Sequence, residues 1–190
     1  MHLHLADHPA AALVLGHGAG GGVGAPDLVA ATNAALPLGI SVSLVEQPYR
    51  VAGRRSPAPA GQLDAAWVAV LAQLRSGRLH GLPVITGGRS SGARVACRTA
   101  AEVGAVAVLC LAFPLHPPGR GDDPTKSRLP ELDAVPVPTL VVQGQNDPFG
   151  MPPEGPRRTV VRVPGDHALR STAAVGAAVG EWLGGWVGSL

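Results

Sequence analysis

The stretch PVITGGRSSGARVA, residues 83–96, combines the features of a buried strand, a tight turn and the start of a helix. Its centre, GRSSG at residues 88–92, has the pattern G-x-S-x-G in the strand-turn-helix context that gives this pattern meaning. A serine on so tight a turn needs glycine two residues before it and two after it, because neighbouring backbone comes very close. Ser91 lacks glycine at these distances. The sequence therefore predicts Ser90 as a nucleophile.

A serine hydroxyl is a weak nucleophile, so this hypothesis requires a base and an orienting acid elsewhere in the chain. A predicted strand at residues 139–143 is followed by GQNDPFG, which places Asp147 just past the strand end. The last predicted strand, residues 160–163, leads into GDHAL, which contains His167. Ser, Asp and His occur in the chain order of one of the three familiar arrangements of this triad. We predict Ser90, Asp147 and His167 as the catalytic residues.

A glycine-rich loop, LVLGHGAGGG at residues 13–22, directly follows the first strong strand. Such a loop leaves backbone N–H groups free to face a developing oxyanion. We predict an oxyanion hole formed by the N–H groups of Ser91 and Ala19. A phosphate-binding loop is the alternative, but the stretch has no G-x-G-x-x-G in register and no Lys-Ser or Lys-Thr pair.

Short apolar runs alternate with longer amphipathic stretches, which is typical of a parallel sheet connected by helices. Strands are predicted at residues 11–15, 40–45, 84–86, 106–111, 139–143 and 160–163. Helices are predicted at residues 62–75 and 91–104, with a closing helix from Ser171 or Thr172. We predict the α/β fold class: a single domain over residues 1–190, with about six mainly parallel strands and helices on both faces.

Composition and charge exclude several classes of function. The chain has 190 residues, 46% of them hydrophobic and 15% charged, and a net charge of +2 with scattered basic residues, which argues against nucleic acid binding. Its most apolar run, residues 105–115, is much shorter than the roughly 20 residues of a membrane-spanning helix. The start has no signal-peptide pattern, so we expect a cytoplasmic protein. Cys97 and Cys110 have no metal-ligand spacing, and no metal site is predicted.

Four motifs together resemble the α/β-hydrolase superfamily, in its small, lid-less, dienelactone-hydrolase-like and serine-esterase-like branch. They are HGAGG after the first strand, GGRSSGAR at the turn, VVQGQNDPFG and PGDHAL. The resemblance extends from about Leu13 to about Trp186. It implies Ser90 as nucleophile, His167 as general base and acid, and Asp147 as the group that holds the imidazole. It also implies that no cap domain and no cofactor are present.

Substrate contacts are less well defined by the sequence. Arg54, in the loop after the second predicted strand, and Arg89, inside the turn, are candidates for binding a carboxylate or a phosphate. His116, after the fourth predicted strand, is a candidate for lining the pocket. For each residue, an exposed loop side chain is the alternative. The expected partner is a small-molecule acyl substrate, and the sequence does not define the oligomeric state.

We expect a serine hydrolase that cleaves an ester, thioester or lactone through an acyl-enzyme. The sequence leaves open which acceptor captures the acyl group, so that transferase and perhydrolase outcomes are also compatible with it. The alternative from a different class is a catalytically silent protein that keeps the hydrolase fold as a binding or scaffold module.

Overall fold

In the computed structural model, which describes residues 1–121 and 123–188, seven strands form one sheet in the order β1-β3-β2-β4-β5-β6-β7. The strands are β1 (His2–His4), β2 (Ala11–Gly16), β3 (Ile40–Val45), β4 (Val84–Arg89), β5 (Ala107–Leu111), β6 (Thr139–Gly144) and β7 (Arg158–Val163). The predicted α/β class and its six strands are confirmed. The structure adds β1, which pairs with β3 in antiparallel orientation, whereas all other strand pairs are parallel.

The centre of the sheet is covered on both faces. Every residue of β2, β3, β5 and β6 is buried, which explains why these strands lack polar alternation in the sequence. The helices are α1 (Pro26–Ala35), α2 (Pro48–Val51), α3 (Ala60–Ser76), α4 (Ser91–Thr99), α5 (Leu129–Asp133) and α6 (Thr172–Val187). Helices α1 and α6 pack on one face, and α3, α4 and α5 pack on the other.

The helices show where the sequence pattern was sufficient and where it was not. The predicted helices at 62–75 and from Thr172 correspond to α3 and α6. Helix α4 ends earlier than predicted, at Thr99. Turns then lead to Gly104, whose φ of +59° lies in the left-handed region. Helix α1 was not predicted, because Leu28 is the one large apolar side chain among the residues it buries, which are Asp27, Leu28, Ala31, Thr32 and Ala35. It begins at Pro26, a position where the missing proline N–H leaves no helical hydrogen bond unmade.

The parallel strands bring three loops to one edge of the sheet. Strands β4, β5, β6 and β7 are consecutive neighbours and parallel, so their carboxyl ends meet on the same side. Register fixes this alignment, with Arg89 opposite Leu111 and Gly144 opposite Val163. Ligands in open α/β sheets bind at this edge. Within the part of the chain that the structure describes, no helix is long and apolar enough to cross a membrane.

Candidate active site

The turn between β4 and α4 holds Ser90 in a strained conformation. Its φ of +53° and ψ of −112° are uncommon for any residue other than glycine. The Ser90 N–H donates to the Leu111 carbonyl oxygen at 2.9 Å, which anchors the turn to β5. A Cβ atom on Gly88 or Gly92 would lie 2.4 or 2.3 Å from the carbonyl oxygen of Gly16. Both flanking glycines are therefore required by the close approach of β2, as the sequence pattern indicated.

Ser90 is the first member of a chain of hydrogen bonds between three loops. Its Oγ lies 3.0 Å from Nε2 of His167, and Nδ1 of His167 lies 2.8 Å from Oδ2 of Asp147. The Asp147 side chain is fully buried, whereas 18% of the His167 side chain is exposed. The structure thus brings together the three residues that the sequence singled out, with Ser90 at the cleft and the Asp147 side chain in the interior.

Asp147 is held by donors that sequence reasoning did not identify. The fully buried Gln143, on β6, donates from Nε2 to Oδ2 of Asp147 at 2.8 Å. The same amide nitrogen lies 3.0 Å from the Phe113 carbonyl oxygen and 2.9 Å from that of Gly150. The backbone N–H of Phe149 donates to the other oxygen, Oδ1, at 2.9 Å. Both carboxylate oxygens are therefore oriented before any ligand is present.

The loop that carries His167 is anchored by Arg89. The Arg89 guanidinium donates from Nη2 to the His167 carbonyl oxygen at 2.9 Å, and its Nε lies 2.8 Å from Oδ2 of the fully buried Asp27. Burial raises the pKa of Asp27, and the charge of Arg89 opposes that rise. The Phe149 ring contacts the imidazole of His167, with the two ring centroids 4.3 Å apart. The structure places the Arg89 side chain between protein groups, not in an open position at the cleft.

The glycine-rich loop is shaped by His17, which is fully buried. Its Nε2 accepts from the backbone N–H of Gln47 at 2.9 Å, so Nδ1 carries the proton and donates to the Gly18 carbonyl oxygen at 2.7 Å. Burial lowers the pKa of His17, which favours this neutral form. Because a trans peptide points its N–H opposite its carbonyl, the bond to Gly18 also orients the N–H of Ala19. Tyr49 fixes the next peptide by donating its hydroxyl to the Ala19 carbonyl oxygen at 3.0 Å.

A family model described as an alpha/beta hydrolase domain matches residues 9–177, which is most of the chain. The chain belongs to the α/β-hydrolase family. Membership supports hydrolase activity in general terms and agrees with the lid-less, dienelactone-hydrolase-like resemblance of the sequence motifs. A search of curated protein sequences gives no significant match.

Solved structures of other hydrolases share the fold of this hydrolase at low sequence identity. Est1E from Butyrivibrio proteoclasticus, in a structure with ferulic acid bound, is 16% identical with a TM-score of 0.75, over 96% of this chain and 92% of that chain. An α/β serine hydrolase without a lid from Xanthomonas campestris is 21% identical with a TM-score of 0.69, over 95% and 87%. A dienelactone hydrolase from Anabaena variabilis is 20% identical with a TM-score of 0.71, over 97% and 88%.

A cleft of about 360 Å³ opens beside Ser90 in this hydrolase. Ala19 and Ser91, the residues predicted for the oxyanion hole, line it together with Ser90 and the ring of Phe149. Its remaining lining residues are Pro57, Ala58, Ala60, Leu63, Arg94, Arg98, Pro114, Pro118 and Arg128. The cleft is thus lined by the glycine-rich loop, the loops after β3 and β5, the start of α3 and one face of α4.

The three residues predicted for substrate binding do not line this cleft. Arg54 is exposed in the loop before α3. His116 is half-buried, and its backbone N–H donates to the Phe149 carbonyl oxygen at 2.9 Å. Arg89 is engaged by Asp27 and His167, as described above. Substrate binding by these residues stays a prediction, and the arginines that the structure places at the cleft are different ones.

Proposed function

We propose that this protein is a serine hydrolase that cleaves a carboxylic ester, thioester or lactone through an acyl-enzyme. The observation that carries the proposal is the continuous chain from Ser90 Oγ to His167 Nε2 at 3.0 Å and from His167 Nδ1 to Asp147 Oδ2 at 2.8 Å. These distances lie within the hydrogen-bond reach that a nucleophile and its general base require. A silent scaffold, the alternative reading of the sequence, has no need for this alignment.

In the proposed reaction, Ser90 Oγ attacks the substrate carbonyl carbon while its proton moves to Nε2 of His167. Asp147 holds the Nδ1–H and stabilises the imidazolium that forms. The imidazolium then gives its proton to the leaving oxygen or sulfur as the bond to the carbonyl carbon breaks. Water then attacks the acyl carbon with His167 again as base, and His167 gives the proton to Ser90 Oγ as the bond between the acyl carbon and Oγ breaks, which releases the carboxylic acid product. Each proton that His167 accepts is returned, so the enzyme ends unchanged.

The oxyanion formed at each step would be bound by the backbone N–H groups of Ser91 and Ala19. Ser91 is the first residue of α4, so its N–H has no intrahelical acceptor, and the positive end of the helix faces the same place. The N–H of Ala19 is oriented through the bond from His17 to the Gly18 carbonyl oxygen. One such donor contributes on the order of 10²- to 10³-fold to the rate in serine hydrolases.

Labelling with a fluorophosphonate probe followed by peptide mapping tests the proposal. We expect the probe on Ser90 in the native protein, no label in Ser90→Ala, and much slower labelling in His167→Ala. Ser76→Ala is the matched control, because it removes an exposed hydroxyl at the end of α3 that donates to the Gln73 carbonyl oxygen. Absence of label on a folded protein would reject an activated Ser90 and favour the scaffold alternative.

A further inference from the structure

Three arginines that sequence reasoning did not identify line the cleft beside Ser90: Arg94 and Arg98 from α4, and Arg128 from the segment before α5. Arg94 and Arg98 are four residues apart, so they lie on the same face of α4. Arg128 comes to this face from a loop, thirty positions after Arg98 in the chain. The tertiary fold, not a sequence motif, therefore creates the positive group.

Two of these arginines are neutralised by carboxylates. Glu131 accepts from Nε of Arg94 at 2.8 Å and from its Nη2 at 2.5 Å. Asp64 accepts from Nε of Arg98 at 2.9 Å and from its Nη2 at 2.6 Å, and Glu131 also lies 3.4 Å from Nη1 of Arg98. Both pairs have the two-bond geometry that fixes a guanidinium against a carboxylate. These contacts leave Arg94 and Arg98 rigid and their charges compensated.

Arg128 has no such partner. Its Nη1 donates to the carbonyl oxygens of Pro114 at 3.1 Å and His116 at 3.3 Å. Within residues 1–121 and 123–188, no carboxylate lies within ion-pairing distance of its guanidinium, and its Nε and Nη2 have no hydrogen-bond acceptor. Burial and the charge of Arg94 lower the pKa of Arg128, Glu131 opposes them, and the charge of Arg98 lowers that pKa by a smaller amount. A fixed guanidinium with two free donor nitrogens therefore lines the cleft.

The position of the cleft indicates which part of a substrate would reach Arg128. Ser90, Ser91 and Ala19 line the cleft, whereas His167 does not. In the proposed reaction His167 protonates the leaving group, and we assign the cleft, which His167 itself does not line, to the acyl part. The volume of about 360 Å³ is near the lower end of the roughly 300–1,000 Å³ of small-molecule sites, which suits a short acyl chain.

We propose that the cleft selects substrates whose short acyl chain ends in a carboxylate, and that Arg128 binds this carboxylate through its free Nε and Nη2. The inference rests on the proposed function for the identity of the acyl side. A planar guanidinium matches a carboxylate in two parallel hydrogen bonds, which a neutral ester of the same shape cannot reproduce. Arg128 then determines specificity, while Arg94 and Arg98 keep the surrounding wall in place.

Hydrolysis of two matched esters tests the inference. One is the p-nitrophenyl monoester of glutaric acid, and the other is its methyl ester, in which a methyl group caps the terminal carboxylate and removes its charge. We expect kcat/KM to favour the charged ester by about 10-fold or more, as for other charge-assisted contacts. Arg128→Met should lower this preference by about 10-fold or more, and Arg128→Lys should retain part of it because the charge remains. Arg78→Met, an exposed arginine outside the cleft, is the control and should keep the preference.

Each result of this comparison has a defined meaning. Equal kcat/KM values for the two esters, with labelling at Ser90 intact, would overturn the inference and leave the proposed function standing. A preference for the charged ester that persists in a folded Arg128→Met protein would overturn the role of Arg128. If Arg128→Met does not fold, Arg128→Lys provides the test, and an undiminished preference for the charged ester in that variant would overturn two-bond recognition by the guanidinium.

A binding measurement separates the inference from turnover. In the Ser90→Ala protein, chemical-shift titration with monomethyl glutarate should show binding at least about 10-fold tighter than with dimethyl glutarate, and Arg128→Met should remove the difference. Methyl phosphate is the competing anion, and tighter binding of methyl phosphate than of the carboxylate would overturn the assignment of a carboxylate. If Ser90 is not labelled and neither ester is cleaved, the proposed function fails, and this titration still decides whether the cleft binds a carboxylate.

Discussion

Arg89 Nε lies 2.8 Å from Asp27 Oδ2, and this ion pair joins the turn that carries Ser90 to the first turn of α1. The same guanidinium donates to the His167 carbonyl oxygen at 2.9 Å. Its Nη1 also lies so close to Gly18 that a Cβ there would be only 2.9 Å away. The Arg89 guanidinium therefore contacts both the glycine-rich loop and the loop that carries His167, and its own backbone lies in the turn that carries Ser90. We infer that Arg89 positions these loops relative to one another.

This relationship predicts strong coupling between Asp27 and Arg89. Asp27→Asn and Arg89→Met should each lower the free energy of unfolding by about 1.5–3 kcal/mol, because each leaves the other member of the ion pair without its opposite charge. The double variant should lose less than the sum of the two, with a coupling energy of about 1 kcal/mol or more. Urea denaturation of the four proteins measures the coupling, and additive effects would contradict it.

Arg89→Met should also slow labelling of Ser90, because the backbone of His167 loses its side-chain donor. A displaced base lowers kcat while it leaves substrate binding largely intact, so we expect kcat to fall by about 10-fold or more with a small change in KM. The p-nitrophenyl esters described above provide both constants. A rise in KM with unchanged kcat would instead indicate that Arg89 binds substrate, as the sequence analysis predicted.

A second prediction concerns the buried amide that supports Asp147. Gln143→Met keeps the length of the side chain and removes the donor to Oδ2 of Asp147, now at 2.8 Å. We expect slower labelling of Ser90 by about 10-fold, because the carboxylate that orients His167 loses one of its anchors. Gln145→Met is the matched control, since Gln145 is exposed only two residues further along. Equal labelling rates in the two variants would show that Asp147 is positioned without Gln143.

The sequence was sufficient for residues whose chemistry imposes local spacing. The tight turn at Ser90 was predictable because close backbone contacts require Gly88 and Gly92 around it. The positions of Asp147 and His167 near Ser90 were predictable because each follows a strand, and parallel strands end at one edge. These constraints operate within a few residues of the chain.

The cleft arginines lacked such constraints. Arg128 reaches α4 through a loop whose path depends on packing, and no spacing in the sequence indicates which loop folds there. The orientation of the Arg89 side chain could not be predicted either, because its ion-pair partner, the buried Asp27, lies in α1, a helix that the sequence pattern did not indicate. Side chains that act through tertiary contacts with distant elements are therefore the part of the site that sequence alone does not give.

A third prediction concerns the contact between the β6 end and the histidine loop. A Cβ atom on Gly144 would lie 2.3 Å from the carbonyl oxygen of Asp166, the neighbour of His167. Gly144→Ala therefore has to displace this loop, and a shift of about 1 Å at a catalytic group costs on the order of 10²-fold in rate. We expect a loss of that size in the rate of Ser90 labelling.

Gly184→Ala is the control for this substitution. Among residues 1–121 and 123–188, a Cβ on Gly184, inside α6, meets no heavy atom within 4 Å beyond its chain neighbours and the backbone of its own helix, so the change should leave labelling intact and raise helix stability by up to about 1 kcal/mol. Thermal denaturation and labelling of both variants provide the comparison. Normal labelling of Gly144→Ala would show that the histidine loop yields to the methyl group without moving His167.

The last prediction concerns pH, through the neutral His17 beneath the glycine-rich loop. Burial lowers the pKa of His17 below its ordinary value of 6.5, so the folded state binds the proton less readily than the unfolded state. The stability that this group contributes is fully present above pH 6.5 and is lost as the pH falls through the lowered folded-state pKa, by at most about 1.4 kcal/mol per pH unit for one proton. Protonation would also remove the acceptor of the Gln47 N–H, which is now 2.9 Å from Nε2.

Urea denaturation at several pH values between 7.5 and 5 should show a steeper loss of stability in the native protein than in His17→Asn, which keeps a donor for the Gly18 carbonyl oxygen but does not titrate. Because the other histidines are common to both proteins, the difference between the two curves isolates His17, and parallel curves would show that it does not control stability in this range.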